Sequence, residues 1–374
     1  MLKVSEKKLA FAGPWVTDRE VEYVAQAARE GWYENCTKYM EGFEEEVRNY
    51  LGVKYAIGTN CCTQALHLAA AALGLTKGDE VIVTDHSWVA TAYAITYTGA
   101  TCVFVDIDPV TLCIDPAAIE RAVTPATKAI MIVDNFGIPA DMDEIRDVAN
   151  RHNLKIIEDA APALGASYKG QKCGTFGDIG CISFQGAKIA AASEGGIFVT
   201  DDEELYKNAK LLSSMGRTDR CGAFWSDQIG YQYTIGSLPA AMATIQLRRI
   251  DELVANKRRI YKSFSDKLSS HPMIEMVREK ENTIANYTYP SLFLKDEVKC
   301  DGAYVISELK KCNIHGRTGF PPMSTFPLYA AEKRFDNPVA RRFFERGVVL
   351  PAAHNLTEED IELICNNVLE LINK

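Results

Sequence analysis

In the stretch "SFQGAKIAAASEGG" (183–196), Lys188 is the sole ionisable side chain between Gln185 and Ala191. Alanine, glycine and isoleucine surround it. A lysine without ionisable neighbours, set among small residues, is placed as a nucleophile toward carbonyl carbon, which is the start of Schiff-base chemistry. A lysine snorkelling from a surface loop would leave the alanines, and the glycines at 195–196, without a reason. Asp159 closes the apolar run "KIIED" (155–159) and precedes "AAPALGA". Taken alone it reads as a helix N-cap. Beside a buried heterocycle, a carboxylate keeps a ring nitrogen protonated. A lysine and such a carboxylate are the two fixed protein groups of pyridoxal-phosphate (PLP) chemistry. Lys188 and Asp159 are the predicted catalytic pair.

A phosphorylated cofactor needs an anion site. "GTNCCTQALHLAAAAL" (58–73) runs from a strand through small and hydroxyl residues into a helix. The free amides near Cys62 and Thr63 at that helix start form such a site, and Ser183 adds a hydroxyl. Trp88, in "DHSWVATAYAI" (85–95), offers an indole to stack on a pyridine face. No G-x-G-x-x-G and no G-x-x-x-x-G-K-[ST] is present, so a dinucleotide or ATP site has no support.

The elements that position these residues alternate. Apolar runs at 55–59, 80–84, 101–107, 128–133, 155–159, 180–184 and 196–200 read as buried strands. Helix-length segments at 63–75, 88–100 and 142–153 lie between them. Continuous apolar strands separated by helices predict an α/β fold, with a mostly parallel sheet covered on both faces. Ligands then gather beyond the carboxyl ends of the strands. From about Ile245 the pattern changes: 246–270 reads as one long amphipathic helix, followed by a strand pair around 287–295 and helices near 301–312 and 357–372. We therefore expect a large domain over 1–245 and a smaller C-terminal α+β domain over 246–374.

Composition narrows the function. The 374 residues carry a formal net charge of −9, which argues against nucleic-acid binding. No apolar run reaches membrane-helix length and the N-terminus does not read as a signal peptide, so a cytoplasmic enzyme with no membrane partner is expected. Six scattered histidines, and eleven cysteines without a C-x-x-C, predict no metal site.

With these pieces in register, the sequence resembles the DegT/StrS-type sugar aminotransferases, a branch of the aspartate-aminotransferase-like fold type I PLP enzymes. The likeness spans nearly the whole chain. It begins at "GWYENCTKYMEGFEEEVRNYLGVKYAI" (31–57), continues through "EDAAPALGASYKGQKCGTFGDIGCISFQGAKIAAASEGGIFVTDD" (158–202) and ends with "GVVLPAAHNLTEEDI" (347–361). It implies that Lys188 carries PLP, that Asp159 pairs with the pyridine nitrogen, that Trp88 stacks on the ring and that Cys62, Thr63 and Ser183 hold the phosphate. It also implies a homodimer with shared active sites. Gln232, in "IGYQYTIGSLPAAMATIQL" (229–247), would reach the partner's phosphate. Cys62 stands where relatives commonly have glycine, Gln232 where they have asparagine, and Pro162 where many have a polar residue. Met323–Ser324 replaces a frequent histidine, while Arg317 keeps a basic position, so Arg317 and Ser324 are the expected substrate residues. The reaction implied is transfer of an amino group from L-glutamate or glutamine to a keto-sugar, itself nucleotide-linked. Chemistry on a small phosphorylated ketone or amino acid, or a regulator without turnover, are the alternatives.

Overall fold

The computed structural model describes residues 2–218, 224–332 and 334–373. Its main sheet holds seven strands: β1 (Tyr55–Thr59), β2 (Glu80–Thr84), β3 (Thr101–Val105), β4 (Thr127–Val133), β5 (Lys155–Asp159), β6 (Ile179–Ser183) and β7 (Gly196–Thr200). They lie in the order β1-β7-β6-β5-β4-β2-β3. β7 runs antiparallel to both its neighbours, and every other adjacent pair is parallel. All strands but β7 therefore end on one edge.

Alternate side chains of each strand enter opposite layers. Ile82, Val103, Ile130, Ile132, Ile156 and Ile182 pack against α2 (Lys38–Leu51), α5 (Pro116–Ala122), α6 (Met142–His152) and α8 (Ser237–Arg248), and α1 (Asp18–Glu30) lies on α8. Val81, Val83, Met131, Ile157 and Cys181 pack against α3 (Cys62–Ala72), α4 (Ala90–Thr96) and α7 (Glu203–Ser213). Both faces are buried, which is why the strands read as unbroken apolar runs.

Region 246–270 departs from the sequence reading. It is not one helix: α8 ends at Arg248 and α9 (Ile250–Leu268) begins after a break at Arg249 (φ −103°, ψ 11°). The Arg249 guanidinium is buried, and donates to Glu20 Oε1 (2.6 Å) and to the Trp15 carbonyl (3.0 Å). A buried arginine without such partners would be costly. The chain turns where it reaches them.

The strand pair expected around 287–295 is instead one strand, β9 (Ser291–Leu294), flanked by β8 (Ile274–Met276) and β10 (Gly347–Val349) in an antiparallel sheet. Tyr287, with φ 51°, leaves the strand path. This sheet packs with α9, α10 (Gly302–Lys311) and α12 (Glu358–Ile372) around Phe264, Leu292, Leu309 and Ile364. The expected boundary at 245/246 falls within α8. Residues assigned to the large domain begin on the other side, since Ser5 and Leu9 donate to the carbonyls of Cys312 and Asn313 (3.0 and 2.9 Å). No helix among the described residues is long and apolar enough to cross a membrane.

Candidate active site

The carboxyl edge of the sheet opens into a cavity of about 480 Å³. Cys62 and Thr63 follow β1, Trp88 follows β2, Asp159 ends β5, Ser183 ends β6, and Lys188 lies in the loop from β6 to β7. All six line the cavity, as does Arg317 from the C-terminal part.

Asp159 is buried, and its carboxylate accepts from the Thr91 hydroxyl (2.7 Å) and the Ala161 amide (3.1 Å). Burial pushes its pKa up, partly offset by the Thr91 bond, the Lys188 charge and the Ala161 amide. A buried carboxylate facing a cavity calls for a cation. The start of α3 has no side-chain cap, so the amides at Cys62 and Thr63 are open to an anion. β7 passes this turn so closely that a Cβ on Gly196 would lie 2.5 Å from the Cys62 nitrogen. Ser183, buried beside it, and Trp88, 63% exposed, complete the floor and rim. These donors, the carboxylate and the ring fit the phosphate, the pyridine nitrogen and the flat face of PLP.

Arg317 stands on the other wall. Its guanidinium carbon lies 4.0 Å from the Phe320 ring centre, and 4.9, 5.3 and 5.5 Å from those of Phe11, Tyr289 and Phe136. Burial lowers its pKa to about 10, and the buried Nε has no acceptor. Aromatic faces stabilise the cation but give its N–H groups nothing to bind.

One expected residue is not brought to the cavity. Ser324 is buried with its amide and hydroxyl on the Asp85 carboxylate (both 2.7 Å). That carboxylate, which also accepts from Asn337 (2.7 Å), takes up the donors that would otherwise face a substrate. Gln232, expected at the partner's phosphate rather than in this cavity, is exposed, with its backbone bridging to Ser214. Sequence reasoning missed Thr91, one helical turn beyond Trp88, and the aromatic box around Arg317. Thr91 shares its segment with Ser87, whose hydroxyl lies 3.1 Å from its own, so the sequence alone did not single it out. Nor did it show the box, since that unites residues 11, 136, 289 and 320.

Two buried histidines set an acid limit on the fold. Burial, then the Arg317 charge, pushes His86 down to about 3. Burial, then the Lys257 charge, does the same for His354, against the Ile189 hydrogen bond. The unfolded imidazoles protonate near the ordinary value of about 6.5, so the native chain binds fewer protons below it. Their contribution is therefore fully present above that value and is lost as pH falls toward 3, by ~1.4 kcal/mol per unit for each histidine. Denaturant midpoints measured from neutral to mildly acid pH should fall less steeply in His354→Gln than in the natural chain. Equal slopes would contradict this.

A mostly parallel sheet with a lysine, a buried carboxylate and an open helix start at its carboxyl edge is the arrangement a PLP enzyme needs. The chain belongs to the DegT/DnrJ/EryC1/StrS aminotransferase family, whose match spans residues 14–369. It is accordingly a PLP-dependent aminotransferase. It is 36% identical to GDP-perosamine synthase of Caulobacter vibrioides, over 96% of each chain. Among solved structures it is similar to DesI in the presence of its TDP-sugar product, with TM-score 0.90, 29% identity and 98% and 93% of the two chains covered. It is also similar to the PLP form of Spr1654 from Streptococcus pneumoniae, with TM-score 0.89, 26% identity and 98% and 99% covered.

Proposed function

We propose that this enzyme moves an amino group from L-glutamate to a nucleotide-linked keto-deoxysugar, with Lys188 and Asp159 as its catalytic residues. The observation that carries this reading is the meeting of Lys188, Asp159 and the unpaired Arg317 in one cavity. With PLP bound, the chemistry supplied is an aldehyde that condenses with amines and a protonated ring that accepts electrons. Lys188 Nζ would hold the cofactor through its aldehyde and would serve as the base for the proton on the substrate carbon bearing nitrogen. Asp159, held in place by Thr91 and the Ala161 amide, would keep the ring nitrogen protonated. Trp88 would cover the ring. The α3 amides at Cys62 and Thr63, with Ser183, would bind the phosphate.

Arg317 supplies the cation for an acidic substrate group, the glutamate carboxylate or a sugar-nucleotide phosphate. Removing one partner of a buried hydrogen-bonded charge pair costs ~3 kcal/mol. Arg317→Gln should therefore raise KM for the acidic substrate by about 100-fold. Unchanged KM for both substrates would remove Arg317 from the binding site.

The names of two similar proteins support a nucleotide-linked acceptor, since one is a GDP-perosamine synthase and the other was solved with a TDP-sugar product. The functional test is amination of GDP- and TDP-linked keto-deoxysugars by enzyme loaded with L-glutamate, read by product mass. A small phosphorylated ketone serves as the competitor. Amination of the ketone and of neither sugar would overturn the acceptor reading.

The enzyme acts as a homodimer in which Gln232 serves the partner's phosphate. Large side chains stand in solvent near this segment: Tyr97 is 59%, Ile229 89% and Phe224 95% exposed. Apolar exposure of this size marks an interface. Gln232→Ala should weaken PLP retention, and mixing with excess Lys188→Ala subunits should restore it at the sites with an intact lysine. Retention unmoved by mixing would place the residue's action within its own chain.

A further inference from the structure

The loop carrying Lys188 is gripped from outside by three side chains remote in sequence. Tyr289 Oη donates to the Ala187 carbonyl (2.9 Å), and Gln246 Oε1 accepts from the Ala191 amide (3.1 Å). Between them, His354 Nε2 lies 3.3 Å from the Ile189 carbonyl. Lys188 itself closes a turn through its amide, which donates to the Gln185 carbonyl (2.8 Å). Backbone groups at alternate residues 187, 189 and 191 are thus held, with the lysine between them.

His354 differs from the other two because its bond depends on a tautomer, and the surroundings determine which one. Arg259 can only donate, and its Nε donates to Asn256 Oδ1 (3.2 Å). The other end of the Asn256 amide is therefore its NH₂. That nitrogen lies 3.1 Å from His354 Nδ1 and donates to the His354 carbonyl (2.9 Å). Nδ1 must accept, so the ring proton sits on Nε2, aimed at the Ile189 carbonyl. Burial keeps the ring neutral well below neutral pH. Trp15 packs beside it, ring centres 6.1 Å apart.

We infer that His354 is a positioning residue for Lys188: the chain Arg259–Asn256–His354 fixes an Nε2–H donor that holds the Ile189 carbonyl and so aims the lysine amine. The C-terminal part of the chain thereby sets the geometry of a group carried by the main sheet. This inference rests on the reading that Lys188 carries PLP.

Three measurements on the PLP-loaded enzyme test it. Nitrogen-15 NMR of histidine-labelled protein, which has six histidines, should show His354 as a neutral Nε2–H tautomer. An Nδ1–H tautomer would overturn the inference without any variant. His354→Phe keeps a packed ring and removes the donor. Its kcat should fall about tenfold with KM little changed, an effect of one neutral hydrogen bond on the reacting geometry. The pH midpoint of the cofactor's visible absorbance should shift with it. His354→Gln, whose amide N–H reaches the same position, should restore both. A His354→Phe enzyme with normal kcat and midpoint, or a glutamine variant no better than phenylalanine, would show that the ring merely packs. Borohydride labelling separates the two readings. A label on another lysine removes the premise, whereas a label on Lys188 with an inert His354→Phe removes only the positioning role.

Discussion

Lys188→Ala is expected to fold normally and to lose amino transfer by at least about 10⁴-fold, since it removes both the cofactor's covalent anchor and the general base. The prediction of normal folding has a structural basis. Lys188 is only half-buried, on a loop whose backbone is held by Tyr289, His354 and Gln246 rather than by the lysine side chain. Truncating it removes no ion pair seen among the described residues. The melting temperature should stay within a few degrees, while turnover of L-glutamate disappears. Activity within about tenfold of the natural enzyme would mean that another amine does the chemistry.

Asp159→Asn should lower kcat by about 1,000-fold, the equivalent of ~4 kcal/mol of transition-state stabilisation. The two donors bind different carboxylate oxygens, so the asparagine keeps its oxygen on the Ala161 amide and turns its NH₂ to the Thr91 hydroxyl, which accepts from it and donates to the Trp88 carbonyl. The shape survives and the negative charge does not. Thr91→Val, which leaves the charge and removes one hydrogen bond, should cost far less, about tenfold. The cofactor-free chain gives a second readout. Burial raises the Asp159 pKa above its unfolded value, so the native state holds a proton that the unfolded state releases. The stability cost of Asp159 is therefore absent below the ordinary carboxyl range and grows as pH rises through it toward the raised folded value. Without cofactor, Asp159→Asn should be more stable than the natural chain at neutral pH, with the difference vanishing in acid. A catalytic loss within tenfold, or a less stable variant at neutral pH, would make Asp159 a structural cap.

The strands were legible because each is buried on both faces and carries an apolar run. Their ends then located Asp159 and Ser183, and the small-residue loop after Ser183 pointed to Lys188. The start of α3 was legible through Cys62 and Thr63 for the same reason, a strand running directly into a helix. What escaped was decided by contacts between distant segments. Arg249 breaks a helix because Glu20 and Trp15 lie within its reach, and no proline or glycine marks the spot. Ser324 follows Arg317 by seven residues in sequence, yet Asp85, just beyond β2, draws it inward. Gln246 looked like the first residue of a charged helix and is in truth buried, divided between the Ala191 amide and Glu20. Periodicity reports which face of an element is wet. It does not report which distant polar group waits there.

Borohydride reduction of the PLP-loaded enzyme, followed by peptide mapping, identifies the lysine that carries the cofactor. The chain contains a real competitor: Lys257 is fully buried, and burial lowers its pKa to about 7, which makes it a nucleophile at neutral pH. Lys257, however, donates to the Thr288 and Ala352 carbonyls and does not line the cavity that holds Asp159. The pyridoxyl label is expected on Lys188 alone. A label on Lys257, or on any other lysine, would contradict it.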